Sequence, residues 1–347
     1  QQVGLSFDRI LDPAEWQDLP SRSLAAFKAR PLVPLLIALV FVPLIFIRAR
    51  VLGVITSLGS QAESGTCREF DLTLRASLLT ISLAIVWPSI LVLLSYWLGS
   101  FDASGSDVIM PLSAGLRAMG ITLMPINLWW YAARPQGLMI SHFGVSPRVA
   151  EIIRRHLRLL SYSFVLLIGL YSAIGAAGEP IYYQSLGRIV FVAAMVCLSI
   201  FIYHTMHPVK GATVGYFARR SETFVFKGRF VWLWLLVAIP WVFSAMCLMG
   251  YQFTADQLTV RIFFTAVSLL LLWIMQAIVL RWVVLSRRRL AMEQARARLA
   301  KASQQTEATQ TEVPTDIETI DLSSVDQQTR RLVRAITFVA GALMMWS

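Results

Sequence analysis

Residues 230–301 read FVWLWLLVAIPWVFSAMCLMG (230–250), YQFTADQLT (251–259) and VRIFFTAVSLLLLWIMQAIVLRWVVLSRRRLAMEQARARLAK (260–301). Two long apolar runs are joined by a short polar segment and closed by a dense block of arginine. A bilayer's hydrocarbon core is ~30 Å thick and takes ~20 helical residues to cross, so each run is long enough to span it. Backbone polar groups find no water there, so a spanning segment is a helix or part of a closed barrel. The runs are continuously apolar rather than alternating, which argues against barrel strands. The stretch therefore predicts a membrane hairpin with an arginine stop, and the same grammar recurs along the chain.

Composition agrees. The chain has 347 residues, 56% of them hydrophobic and 15% charged. An average soluble domain carries ~25% charged residues. The deficit, with repeated long apolar runs, places the chain among all-α polytopic membrane proteins rather than soluble domains. The net charge of +11 would point to nucleic acid in a soluble protein, but here the placement of the charge carries the information. Cys67, Cys197 and Cys247 stand alone, so neither a disulfide framework nor a zinc site is expected. The chain opens on Gln1 and closes on Trp346-Ser347 within an apolar run, and is read as a piece of a longer protein.

In chain order, residues 1–30 are a polar surface segment holding Trp16, Phe27, Lys28 and Arg30. Seven spans follow, at about 31–47, 76–98, 108–130, 157–177, 188–206, 230–250 and 260–285. Ser146-Pro147 has the form of an N-cap with proline at the first helical position. Behind it, Val149, Ile152, Ile153, Leu157 and Leu160 fall on one helix face, an interfacial helix running into span 4. Residues 286–301 are rich in helix formers and extend span 7. Residues 302–323 are polar and acidic, the composition of a loosely held linker. Together 286–334 form an extension and linker, and 335–347 begin an eighth span.

The segments following spans 1, 3, 5 and 7, with Arg158 and Arg281 at their edges, hold 24 of the 31 Lys and Arg. The segments after spans 2, 4 and 6 hold none in their centres. Positive residues stay inside, so the odd spans run inward and the N-terminus is expected to be periplasmic.

Chemistry-bearing residues are few. His204 and His207 are three residues apart, but a metal needs further ligands and none follows nearby. His142 and His156, near Ser141 and Glu151, could provide a base for a membrane acyltransferase, yet no nucleophile or oxyanion loop accompanies them. Arg117 is the charge placed clearly within a span, and intramembrane charges are functional candidates. A polar group such as Asn127, a backbone carbonyl or a lipid phosphate could meet it. No acid lies mid-span to complete a proton relay, and no matched broken helices mark a transporter. Arg154, Arg155 and Arg158 share an amphipathic helix and are, with Arg117, the candidate contacts for anionic lipid head groups. No cofactor is expected.

The runs AIPWVFSAMCLMGYQFTADQLTVRIFFT, LRWVVLSRRRLAMEQARAR and IDLSSVDQQTRRLVRAI resemble the large MscS-like mechanosensitive channels, the MscK and MscM type of Gram-negative inner membranes. The loop GLMISHFGVSPRVAEIIRRHLR resembles the inner-membrane domain of the same family. The likeness covers roughly residues 20–340. It implies a homo-heptameric channel that opens under membrane tension and releases ions and osmolytes. It also implies that this chain is the extra-helix region beside a pore and vestibule, neither of which the sequence contains, so no pore residue is carried over. On that reading Arg287, Arg288 and Arg289 belong to the joint between the sensing helices and the pore, and the chain is not an enzyme. The competing classes are a secondary transporter and a membrane-embedded acyltransferase.

Overall fold

Nothing but helix satisfies an apolar backbone in lipid without a closed barrel, and helix is the regular structure throughout the described residues of the computed structural model. These are Lys28 and residues 31–63, 70–100, 109–177, 183–214 and 227–308. The helices are α1 Leu32–Glu63, α2 Asp71–Gly99, α3 Ile109–Ala132, α4 Pro147–Ala176, α5 Arg188–Met206, α6 Arg229–Leu248 and α7 Gln252–Ala308. Among the described residues, seven helical segments are long and apolar enough to cross a membrane. The surface segment 1–30 (apart from Lys28), Cys67, most of the linker and the start of the eighth span fall outside the described residues.

Two helices, α1 and α7, run further than the hydropathy pattern predicts, while α4 follows it. α1 continues through Arg48 and Arg50 to Glu63, where a basic loop was expected from residue 48. Arginine ends an apolar run but does not break a helix, since it is among the better helix formers and its long stem lets the charge reach the interface. α4 joins the interfacial segment and span 4 into one helix of 30 residues, because neither Gly nor Pro interrupts residues 148–168. α7 begins at Gln252, so most of the expected polar loop is already helical.

The turn between α6 and α7 shows why it can be so short. Gly250 has φ +100°, a conformation favoured by a residue without Cβ. The Tyr251 amide donates to the Met246 carbonyl at 2.9 Å and the Gly250 amide to the Cys247 carbonyl at 3.2 Å. This pair of bonds is a Schellman cap, which satisfies the terminal carbonyls of α6. The Tyr251 carbonyl then accepts from Ala255 at 3.0 Å, opening α7. At the other kind of end, Ser146 starts α4 as expected: its hydroxyl accepts from the Val149 amide, with Pro147 in the first turn.

The chain forms two compact units. In the first, Gln1–Ser60 with Ala76–Val260, α3 packs on α4, α4 on α5 and α5 on α6. Lipid supplies no hydrophobic drive between helices, so close approach depends on small residues. A Cβ on Gly115 would stand 2.9 Å from the Gly169 carbonyl oxygen across the α3–α4 contact. A Cβ on Gly120 would stand 2.8 Å from that of Pro88 on α2. The core of this unit gathers Phe164, Tyr171, Phe191, Met195, Phe243 and Cys247. At the C-terminal end of α4, the Tyr171 and Tyr183 hydroxyls lie 2.8 Å apart, and Gln252 Nε2 donates to the Tyr183 carbonyl at 3.0 Å.

The second unit is Gln61–Arg75 with Arg261–Ser347. Within it, Arg281 donates to the Ala62 carbonyl at 3.4 Å, in the last turn of α1. Arg75 pairs with Asp71 one helical turn away at 2.6 Å.

Candidate arginine–aromatic cleft

The end of α3 carries the consecutive residues Trp129, Trp130 and Tyr131, the aromatic girdle expected where a helix leaves the hydrocarbon. Trp130 and Tyr131 meet edge to face with ring centroids 5.0 Å apart. Three guanidinium groups from three parts of the chain surround this pair. Arg48 of α1 lies 5.8 Å from the Tyr131 ring centroid, and Arg158 of α4 lies 5.9 Å from that of Trp130. Arg134, two residues beyond α3, lies 5.3 Å from Trp130 and 5.9 Å from Tyr131. Cations over aromatic faces are attracted by the ring quadrupole. Burial pushes the Arg134 guanidinium below the ordinary arginine range. Tyr131 opposes that shift, while the like charges of Arg48 and Arg154 add to it.

The loop that holds Arg134 is unusual. Gln136 has φ 54°, a left-handed conformation uncommon outside glycine. A π-helical turn, Leu138–His142, then buries Leu138, Met139, Ser141 and His142. This folds the GLMISH segment inward and directs the chain into the Ser146 cap.

Beside the aromatic pair opens a cleft of about 380 Å³. Arg48, Arg158 and Asn127 contribute its polar lining, and Leu91, Met119 and Leu123 its apolar lining. Arg48 Nε and Trp130 Nε1 are buried without an acceptor among the described residues. None of Arg48, Arg134 and Arg158 has a carboxylate in ion-pair contact among the described residues.

The predicted site residues divide. Arg158 lines the cleft, whereas Arg154 approaches Arg134 electrostatically and Arg155 is exposed. Arg117 is also exposed. It stands ten residues, roughly 15 Å of helix, from Asn127 on the same helix, and Asn127 faces the cleft. Arg287, Arg288 and Arg289 lie on α7, and Arg289 pairs with Glu293 at 3.2 Å. Arg48 and Arg134 were not among the candidates, and the girdle aromatics at 129–131 were the available signal for their meeting place.

The histidines take other roles. His142 is buried in the π-helical turn, 2% exposed, while His156 lies on α4 with its ring centroid 5.5 Å from that of His204. A second cleft of about 260 Å³ between α4 and α5 includes both, and the Ser163 hydroxyl and Cys197 thiol are 2.9 Å apart in it. His207 Nδ1 accepts from the Val209 and Lys210 amides at 3.2 Å each, so it caps a turn rather than facing His204 as a ligand. Among the described residues, no group of three or more His, Cys, Asp or Glu side chains could hold a metal.

A helical, multi-span architecture with an arginine–aromatic rim defines an integral membrane protein built on lipid-facing helices. More specifically, residues 31–347 match the family described as mechanosensitive ion channel inner membrane domain 1, and the chain belongs to that family. It is 26% identical over 306 residues to the miniconductance mechanosensitive channel MscM of Escherichia coli (strain K12), an alignment covering 83% of this chain and 27% of that protein. The chain thus spans about a quarter of the length of the relative it matches. No solved structure matches it. Family and relative together support an MscS-like channel transmembrane region.

Proposed function

We propose that this region senses bilayer tension for a channel that releases ions and osmolytes on hypo-osmotic shock, and has no enzymatic role. The observation that carries the reading is the placement of large apolar side chains on outward faces. Phe46, Leu78, Trp234, Trp241, Phe264 and Met275 are all 54–78% exposed, on α1, α2, α6 and α7. Such faces have lipid as their partner. Tension acts on a protein only through a difference between states, here a difference in membrane footprint, so a lipid-contacting array is what a sensor needs.

Orientation and assembly belong to the same proposal. The N-terminus is periplasmic and the arginine–aromatic rim lies at the cytoplasmic face, where positively charged residues collect. The working channel is a homo-oligomer, a heptamer by resemblance to the family. α7 supports a coupling role because it is continuous from Gln252 to Ala308. A helix that passes from membrane span to extension without interruption can carry displacement through Arg287, Arg288 and Arg289 toward the pore.

Patch-clamp recording of the full-length channel tests this. Removing residues 31–250 should change the tension at which the channel opens, and an unchanged threshold would reject the sensor role. Transport and acyl transfer make separate demands. A substrate-dependent thermal shift would support a transporter, and loss of cellular function on alanine substitution of His142, His156 and His204 would support an enzyme.

A further inference from the structure

We propose that the cleft beside Trp130 and Tyr131 is a site for one anionic phospholipid, its phosphate at Arg48 and Arg158 and an acyl chain lying along Leu123, Met119 and Leu91. Charge comes first. Three guanidinium groups crowd one aromatic pair, and no carboxylate pairs with any of them among the described residues. Stacking on rings orients guanidinium groups while leaving their in-plane donors available, the geometry that suits a phosphate's oxygens.

The unpaired donors agree. Among the described residues, Arg48 Nε and Trp130 Nε1 are buried without an acceptor, a state that carries a desolvation cost until an acceptor arrives. A phosphate in the cleft supplies acceptor oxygens, with rotation of the Arg48 side chain bringing its donors onto them.

Dimension separates a lipid from a free anion. Met119 and Trp130 both line the cleft and are eleven residues apart on α3, about 16 Å of helix. One leaflet is half of a ~30 Å hydrocarbon core. The cleft therefore runs from a charged, aromatic rim to an apolar end near the depth a single acyl chain reaches. Tyr162, at its mouth, is 73% exposed, and Leu166, one turn deeper on α4, is 60% exposed, so the site opens sideways toward lipid.

The proposal rests on the lipid-facing reading above but not on tension sensing. The test is the thermal stability of the delipidated full-length protein in detergent, with phosphatidylglycerol, phosphatidylcholine or inorganic phosphate added. Phosphatidylglycerol should raise Tm by several degrees more than phosphatidylcholine, and inorganic phosphate should leave it unchanged. Arg48→Gln with Arg158→Gln should remove that difference. Arg50→Gln with Arg148→Gln, at two exposed arginines that do not line the cleft, deletes the same charge elsewhere and should preserve it. A difference that survives the first pair, that falls equally with the second, or that inorganic phosphate reproduces would overturn the site. Should the first pair fail to fold, Leu123→Trp fills the trough and keeps every charge. Loss of the lipid-specific shift in that variant supports the site, and full retention overturns it. A normal lipid shift beside an unchanged gating threshold in the deletion experiment rejects the sensor and leaves the lipid site standing.

Discussion

Gly120 and Trp241 show how this chain makes specific contacts in a solvent as apolar as its own side chains. Gly120 lets α3 approach α2 until an added Cβ would stand 2.8 Å from the Pro88 carbonyl oxygen. Pro88 is almost wholly buried there, and its backbone oxygen has no rotamer by which to yield. Gly120→Val should therefore destabilise the protein by about 1–3 kcal/mol, the usual cost of overpacking, read as a lower Tm in detergent. The glycine is plain in the sequence, but its neighbour is not, because helix-to-helix register depends on residues more than a span away. Trp241 Nε1 donates to the Ser199 hydroxyl at 3.1 Å between α6 and α5. Ser199→Ala should cost about 1 kcal/mol, a smaller fall in Tm than that of Gly120→Val measured in the same assay.

Whole elements depend on where helices stop, and a change from apolar to charged residues does not by itself stop them. The α6–α7 turn is closed by Gly250 at φ +100°. Gly250→Val should cost at least about 1–2 kcal/mol, the penalty for forcing an L-residue into left-handed backbone, measured by thermal unfolding. Gly250→Asn should recover part of the loss, since asparagine tolerates such conformations better. Along α7 the apolar run and the arginine block form one helix. Arg288→Pro removes a helical hydrogen bond and crowds the preceding turn, at a cost of ~3 kcal/mol or more. If α7 transmits displacement, this variant of the full-length channel should shift the opening tension with the membrane helices still folded. Unchanged gating with a confirmed break in helicity would count against coupling through α7. The end of α1 escaped the hydropathy pattern for the reason already apparent in α7, whereas α4 was read as one helix running into its span. Arg48, Arg154, Arg155 and Arg158 change the polarity of the run but do not interrupt its backbone.

For the molecule as a whole, topology is the property most open to direct measurement. Reporter fusions after residues 103 and 215 should give periplasmic and cytoplasmic signals respectively, as the Lys and Arg distribution requires. A cytoplasmic signal from position 103 would invert the orientation and put the arginine–aromatic rim on the wrong face. Apolar length and continuous rather than alternating hydropathy made the all-α, multi-span class legible without coordinates. Those features are local, and lipid leaves the backbone little choice but helix. The wording of residues 137–158, 238–298 and 320–336 likewise indicated the channel family that the chain proved to match. What only the tertiary structure decided is which arginines meet. Arg48 and Arg158 belong to different helices, and they join Trp130 and Tyr131 because packing brings α1, α3 and α4 to one rim. A hydropathy profile records how far each helix goes into the membrane, but packing between side chains sets the rotation and register that turn scattered cations into a cleft.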